Sequence, residues 1–145
     1  MKNFIVSSRI LEDKNGTIHT LYDINTLEML NKLDILITPI NVLSKLNKNL
    51  LKNSDGLFLM GGGNINKIEK KKINKIRDKF ERSLFRYFTM KNKPIIGICR
   101  GFQNIVSFYG IKPFQVNDHV KTSHHIKIND SRYIKSKSLY VNSYH

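Results

Sequence analysis

The sequence has a single cysteine, no tryptophan and only three prolines among its 145 residues. A lone cysteine cannot form an intrachain disulfide, which is typical of proteins in a reducing compartment. No apolar stretch approaches the roughly 20 residues that a membrane-spanning helix needs. The first apolar segment, residues 4–6, is too short for the apolar region of a signal peptide. The sequence therefore predicts a cytoplasmic protein with no membrane partner.

Acidic residues are also scarce, at 11 against 25 lysines and arginines, so the formal net charge is +14. Such a charge raises the question of a nucleic-acid partner. In the most basic segment, residues 67–77, isoleucines recur near helical spacing and lysines occupy the other positions, as on a solvated helix face. No aromatic side chains interleave this segment to stack on bases. We therefore do not expect a nucleic-acid partner, although the positive field would attract small anions.

Apolar segments of strand length alternate with helical patterns along the first two thirds of the chain. Strands are predicted at residues 4–7, 35–38, 56–60 and 95–98, helices at 24–33 and 73–90, and a weaker helix or loop at 42–51. This alternation indicates a mostly parallel sheet with helices on both faces, and a site at the carboxyl edge of the strands. After Gly110 short strands are predicted at 125–128 and 139–141. We expect an α/β three-layer sandwich that forms one domain over residues 1–145.

The cysteine lies between two glycines, in Gly97-Ile98-Cys99-Arg100-Gly101, directly after one of the predicted strands. Gly-x-Cys-x-Gly at a strand-to-helix turn is typical of a nucleophile elbow. Glycines let the strand and the helix approach closely, and the helix N-terminus favours the thiolate. Cys99 is therefore a candidate nucleophile. The alternative is a buried cysteine that packs as a small apolar side chain.

A second glycine turn, Gly61-Gly62-Gly63, follows the preceding predicted strand. Backbone N–H groups without neighbouring side chains can form an oxyanion hole. One turn that carries a thiol and another that carries donors are what acyl transfer through a thioester requires.

These segments resemble, in order and spacing, the motifs of class I glutamine amidotransferase-like proteins, in the gamma-glutamyl hydrolase (gamma-glutamyl-gamma-aminobutyrate hydrolase-like) branch. The resemblance spans nearly the whole chain and is carried by residues 59–65, Arg77-Asp78 with Glu81, residues 94–103 and residues 141–145. It implies a flavodoxin-like sandwich. A narrower resemblance, through residues 7–9 and 119–128, is to the group that removes a gamma-glutamyl cap from a cytidine diphosphoramidate in surface-polysaccharide biosynthesis.

The resemblance implies hydrolysis of a gamma-glutamyl amide of small-molecule size through a cysteine thioester, with no cofactor or metal. Cys99 matches the nucleophile, and the backbone N–H of Arg100, with that of Gly62 or Gly63, matches the oxyanion hole. The candidate substrate-binding residues are Gln103, Arg9, Asn142, Ser143 and His145. A partner synthetase that receives ammonia, or a second copy of the chain, is the candidate macromolecular partner.

Structural explanations compete for some of these roles. The alternative for the Gln103 side chain is a hydrogen bond to the backbone of the turn that carries Cys99. The alternative for the Arg9 side chain is exposure to solvent without a specific contact. His119 and His124 are close in sequence, but no cysteine or carboxylate cluster accompanies them at ligand spacing, so no metal site is predicted.

The sequence contains no His-x-Glu segment. In the family that it resembles, such a segment lies beyond the Val-Asn-Ser-x-His motif and supplies the general base and the carboxylate that orients it. We therefore expect a domain truncated at its C-terminal side, with Ile95, Ile98 and Ile105 partly uncovered, one sheet edge unpaired and weak turnover. The competing class is a non-catalytic protein that binds a glutamyl or anionic ligand.

Overall fold

The computed structural model describes residues 1–114 and 116–143. Met1–Pro113 and Phe114–His145 form two compact units, and each is described by itself. The boundary lies close to Gly110, after which the sequence pattern changes from alternating strands and helices to short strands alone. The single domain over residues 1–145 stays a prediction.

The first unit begins with three strands and then alternates helices and strands, and the described part of the second unit contains two strands. The elements of the first unit are β1 (Lys2–Ser7), β2 (Arg9–Glu12), β3 (Ile18–Leu21), α1 (Ile24–Lys32), β4 (Ile35–Ile40), α2 (Lys48–Lys52), β5 (Gly56–Leu59), α3 (Lys72–Met90), β6 (Ile95–Gly97) and α4 (Arg100–Phe108). The second unit contains β7 (Thr122–Lys127) and β8 (Ser138–Ser143).

Four strands of the first unit form a parallel sheet in the order β4-β1-β5-β6. Side chains of β1 alternate between its faces: Ile5 packs with the apolar residues of α2, α3 and α4, whereas Phe4 and Val6 pack with Leu30 of α1. Helices therefore cover both faces of the sheet. The predicted α/β sandwich with a mostly parallel sheet is confirmed.

A hairpin that the sequence analysis missed follows β1. Strands β2 and β3 pair antiparallel, and Gly16 in their turn has φ +81°. Asp13 Oδ1 accepts hydrogen bonds from the N–H groups of Asn15 and Thr17. Asn-Gly between apolar residues is the standard hairpin signal, so Asn15-Gly16 could have revealed it.

Residues 42–51, predicted as a weaker helix or a loop, begin as turns and end in a short helix. Helix α2 occupies Lys48–Lys52, and Asn47 caps it by accepting hydrogen bonds from the N–H groups of Asn49 and Leu50. An asparagine in this position begins a helix and does not continue one.

Strand β6 lies at one edge of the sheet, and within the described residues no strand pairs with its outer side. Ile96 and Ile98 are each 40% exposed there, and Ile95 and Ile105 are half-buried. In the second unit, β7 and β8 pair antiparallel and confirm the two short strands predicted there. No helix within the described ranges is long and apolar enough to cross a membrane.

Candidate active site

Cys99 occupies the turn between β6 and α4, where it is the N-cap of the helix with φ +53° and ψ −113°. A Cβ atom added at Gly97 would lie 2.6 Å from the carbonyl carbon of Gly101. One added at Gly101 would lie 2.1 Å from the carbonyl oxygen of Leu59. No other residue fits at these two positions without a backbone shift. The glycines therefore bring α4 against β5 and β6, and the turn between them holds the thiol in a backbone conformation that is strained for a residue with a side chain.

The thiol lies beside the glycine turn that follows β5. Strands β5 and β6 are parallel, so their carboxyl ends meet at the same edge, and the Ile98 N–H donates to the Leu59 carbonyl at 3.2 Å. The position of a Cβ atom on Gly61 is 3.3 Å from Cys99 Cβ and 3.9 Å from its Sγ. Cys99 is half-buried, and within residues 1–114 no side chain hydrogen-bonds to its Sγ. The structure thus brings the thiol and the glycine turn together.

The glycine turn presents backbone donors that have no partner. Gly62 has φ +86° and Gly63 has φ +75°, values that favour glycine. Within residues 1–114 and 116–143, neither N–H group donates a hydrogen bond. These unpaired N–H groups belong to the turn whose first glycine contacts Cys99, and they are available to a ligand oxygen.

A fully buried carboxylate, that of Glu81 on α3, lies behind this turn. Its Oε1 accepts from Ser7 Oγ at 3.0 Å and Arg77 Nε at 2.8 Å, and its Oε2 accepts from Arg100 Nη1 at 2.6 Å and Asn104 Nδ2 at 2.5 Å. Burial alone would raise the pKa of Glu81, but the charges of Arg77 and Arg100 outweigh it and the pKa is lowered. The carboxylate therefore stays ionised and links β1, α3 and α4.

Arg77 and Arg100 join this carboxylate to the glycine turn. The Arg77 guanidinium donates to the carbonyls of Met60 at 2.6 Å, Gly61 at 3.3 Å and Gly62 at 2.8 Å. Arg100 Nε donates to the Asn64 carbonyl at 3.2 Å. The Arg100 side chain is buried in this network, and the role of its backbone N–H in an oxyanion hole stays a prediction.

Asp78 closes the network on its more exposed side. Its Oδ1 accepts from Arg100 Nη2 at 2.5 Å, and its Oδ2 accepts from the Asn66 N–H at 2.8 Å. Burial raises the pKa of Asp78 despite these two contacts. Arg77, Asp78 and Glu81 carry part of the resemblance, but no role in the site was predicted for them. A usable signal was the Arg77-Glu81 pair at i and i+4, because both positions lie on the apolar face of α3.

Two candidate substrate-binding residues belong to the first unit. Gln103 donates its backbone N–H to the Cys99 carbonyl, and its side-chain Oε1 is buried without a partner in the described part of the chain. The Arg9 side chain lies over Gly62, since a Cβ atom added there would be 2.6 Å from its Nε. The Arg9 side chain therefore lies beside the glycine turn. Within the described residues, the side-chain oxygen of Gln103 makes no hydrogen bond to the turn that carries Cys99.

The other candidates belong to the second unit. Ser143 is buried, with its Oγ 2.9 Å from His119 Nε2, and Asn142 is exposed on the same strand. The rings of His119 and His124 pack at 4.7 Å between centroids. His145 lies outside the described residues. Across the described ranges, no three histidine, cysteine or acidic side chains are grouped so as to hold a metal ion.

The chain is similar to several known proteins. Residues 13–145 match the family model described as Peptidase C26. A glutamine amidotransferase-like protein, YvdE, of Lactococcus lactis subsp. lactis is 30% identical over 101 residues, which cover 64% of this chain and 42% of that protein. The chain thus matches less than half the length of this curated relative.

Two solved structures share the fold. A glutamine amidotransferase from Thermotoga maritima has a TM-score of 0.71 at 18% identity, over 99% of this chain and 60% of that one. A candidate GMP synthase subunit from Thermoplasma acidophilum has a TM-score of 0.68 at 20% identity, over 100% of this chain and 65% of that one. With the family match over most of its length and this fold, the chain belongs to the Peptidase C26 family, within the class I glutamine amidotransferase-like superfamily.

Proposed function

We propose that the protein cleaves a gamma-glutamyl amide, with Cys99 as the nucleophile. The Cys99 sulfur forms a bond to the gamma-carbonyl carbon, and the carbonyl oxygen becomes an oxyanion. The carbon–nitrogen bond of the amide then breaks, and the leaving amine takes up a proton in place of the one that the thiol lost. Water hydrolyses the resulting thioester, which releases glutamate and regenerates the thiol.

The observation that carries this proposal is the placement of the thiol beside unpaired backbone donors. Cys99 has a strained conformation at the N-terminus of α4, next to a turn whose Gly62 and Gly63 N–H groups have no partner in the described residues. Preorganised donors of this kind stabilise an oxyanion without reorganising during the reaction. The backbone N–H of Arg100 is the third proposed donor.

Two side chains of the same unit support a glutamyl head group as the ligand. The buried, unpaired Oε1 of Gln103 is an acceptor that a ligand ammonium or amide can satisfy. Arg9, which lies over Gly62, supplies a positive charge for the ligand carboxylate. A cavity of about 360 Å³ lies between Gly63, at the end of the glycine turn, and the residues of β2.

Membership in the Peptidase C26 family agrees with chemistry at an amide. The gamma-glutamyl specificity, the cytidine diphosphoramidate-linked substrate and the partner synthetase stay predictions, as do the roles of Asn142, Ser143 and His145. The resemblance assigns proton transfer to a His-x-Glu segment, so acylation of Cys99 is a sharper test than steady-state turnover.

The test is a single-turnover reaction with gamma-glutamyl-p-nitroanilide, followed by p-nitroaniline absorbance and intact-protein mass. We expect one glutamyl group per chain, carried by Cys99, and release of one p-nitroaniline. General acid–base catalysis contributes roughly 10²–10⁴-fold to turnover, so single-turnover acylation is followed separately from steady turnover.

The matched control is Cys99→Ala, which should release no p-nitroaniline and gain no mass. If the unaltered chain gains no glutamyl group, the hydrolase proposal is wrong. A saturable rise in melting temperature with gamma-glutamyl ligands, without any adduct, would instead favour the non-catalytic binding protein.

A further inference from the structure

We propose that Arg77 is the positioning residue of the oxyanion hole, because its guanidinium sets the direction of the Gly62 and Gly63 N–H groups. This inference rests on the proposed function. Arg77 need not touch the substrate; it acts through the backbone of the turn.

Arg77 contacts three successive carbonyl groups of the chain. Arg77 Nη2 donates to the carbonyls of Met60 and Gly61, and its Nη1 donates to that of Gly62. A trans peptide is planar, so its N–H points opposite to its C=O. Fixing the carbonyls of residues 60, 61 and 62 therefore also fixes the N–H groups of residues 61, 62 and 63. The two unpaired donors are thus held facing away from Arg77.

The turn needs such a constraint because glycine imposes little of its own. Gly61, Gly62 and Gly63 have no side chains to restrict their peptide planes, and a Cβ atom on Gly63 would meet nothing within 4 Å. Glycine loses more conformational freedom on ordering than any other residue. Hydrogen bonds from a fixed group reduce the number of conformations that the empty turn can adopt.

Arg77 is itself fixed. Its side chain is 2% exposed, and its Nε donates to Glu81 Oε1, whose other contacts come from Ser7, Arg100 and Asn104. A guanidinium presents its donors in a rigid planar fork, which an ammonium cannot reproduce. The position of the fork on α3 is therefore transmitted to the turn.

A purely structural role would require only that Arg77 neutralise Glu81. One guanidinium nitrogen serves that purpose, whereas the other two contact only carbonyls of the turn. Arg77→Lys separates the two roles, because its single ammonium nitrogen preserves the charge beside Glu81 but cannot also occupy the positions of Nη1 and Nη2, which contact the carbonyls of residues 60, 61 and 62.

The experiment compares two reactions of the same thiol. Acylation by p-nitrophenyl acetate forms a sulfur–carbon bond through an oxyanion and expels p-nitrophenolate, so it depends on the oxyanion hole. Alkylation by iodoacetamide displaces iodide at a saturated carbon and forms no oxyanion. Since the chain has one cysteine, the reaction of Cys99→Ala gives the background from lysines. The ratio of the acylation rate to the alkylation rate measures the contribution of the oxyanion hole independently of the reactivity of the thiol.

We expect Arg77→Lys to lower the acylation rate by roughly 10²-fold, the cost of a misplaced oxyanion donor, with little change in alkylation. Glu81→Gln, which keeps both arginines but weakens their anchor, should lower the ratio less and provides a second variant if Arg77→Lys does not fold. The control is Lys93→Met, which removes a different cation that donates to three carbonyls, those of Leu51, Lys52 and Ser54.

Each outcome separates this inference from the proposed function. If the unaltered chain is acylated no faster than Cys99→Ala, the proposed function fails. If it is acylated and both Arg77→Lys and Glu81→Gln keep its ratio of rates, the function stands and the positioning role of Arg77 is overturned. An equal fall in the ratio for Lys93→Met would also overturn it, since any loss of backbone contacts would then suffice.

Discussion

The two ends of strand β5 are each held by a cation that donates to three backbone carbonyls, but the two arrangements differ. At the N-terminal end, the half-buried Lys93 contacts residues 51, 52 and 54, and the partly exposed Asp55 accepts from Lys2 and from the Asn3 N–H. At the C-terminal end, Arg77 contacts residues 60, 61 and 62 and is paired with the fully buried Glu81.

The difference shows where the fold needs precision. A lysine ammonium is a mobile point charge that tolerates small shifts of its partners, whereas a buried guanidinium paired with a carboxylate has one geometry. Exposed ion pairs contribute about 0–1 kcal/mol, while breaking a buried pair costs about 3–5 kcal/mol. The candidate active site lies at the end where rigidity is greater.

The largest expected effect on stability is the difference between two single variants, each of which removes one carboxylate at one end of β5. Glu81→Ala leaves Arg77 and Arg100 buried without their carboxylate, so we expect a loss of about 3–5 kcal/mol in the free energy of unfolding. Asp55→Ala should cost much less, since its ion pair with Lys2 is exposed and solvent screens it. Urea unfolding of both variants measures the difference. Equal losses would remove the contrast between the two ends.

A smaller effect on stability is expected when alanine replaces a glycine near either end of β5, and its cause should differ between the two ends. A Cβ atom at Gly56 would lie 2.4 Å from the Phe4 ring, so Gly56→Ala should cost about 1–3 kcal/mol through overpacking. Gly63→Ala should cost about 1–2 kcal/mol through backbone strain alone, because its φ is +75° and its surroundings are open.

The same pair of glycines provides its own control. Phe4→Leu should recover part of the loss in Gly56→Ala, because it removes the atoms that clash. No side-chain truncation should recover the loss in Gly63→Ala. Thermal melts of the single and double variants test this, and rescue of Gly63→Ala by Phe4→Leu would contradict it.

The smallest expected effect is the change of stability with pH, because the pKa values of the two carboxyl groups of the network are shifted in opposite directions. The pKa of Glu81 is lowered, so its contribution to stability is full above its unfolded value of 4.5 and is lost as pH falls through the folded pKa. The pKa of Asp78 is raised above 3.8, so its ionisation favours the unfolded chain and stability recovers as pH falls through its folded pKa.

Variants that neutralise one carboxyl at a time separate these two effects. The stability advantage of the unaltered chain over Glu81→Gln should shrink as pH falls below 4.5. Relative to Asp78→Asn, the unaltered chain should gain stability on acidification. Unfolding free energies between pH 3 and pH 7 measure both differences. Parallel curves for all three proteins would show that neither carboxyl has a shifted pKa.

Much of the fold could be predicted because its signals are local. Apolar runs of strand length, the helical stripe of α3 and the turn after β6 were recognised from neighbouring residues alone. The β2–β3 hairpin also has a local sequence signal, Asn15-Gly16, although the hairpin was not predicted. Over residues 42–51 the apolar pattern leaves helix and loop open, and the cap at Asn47 sets where α2 begins.

The sequence by itself determined that a cysteine would stand between two glycines at a strand end, since Gly97 and Gly101 are needed wherever strand and helix approach so closely. Only the tertiary structure decided what lies behind the glycine turn. Glu81 contacts Ser7, which is 74 positions away in the sequence, and Arg100, which is 19 positions away. No local sequence pattern encodes contacts over such separations. The direction of the Gly62 and Gly63 N–H groups follows from these long-range contacts, because glycine imposes no direction of its own.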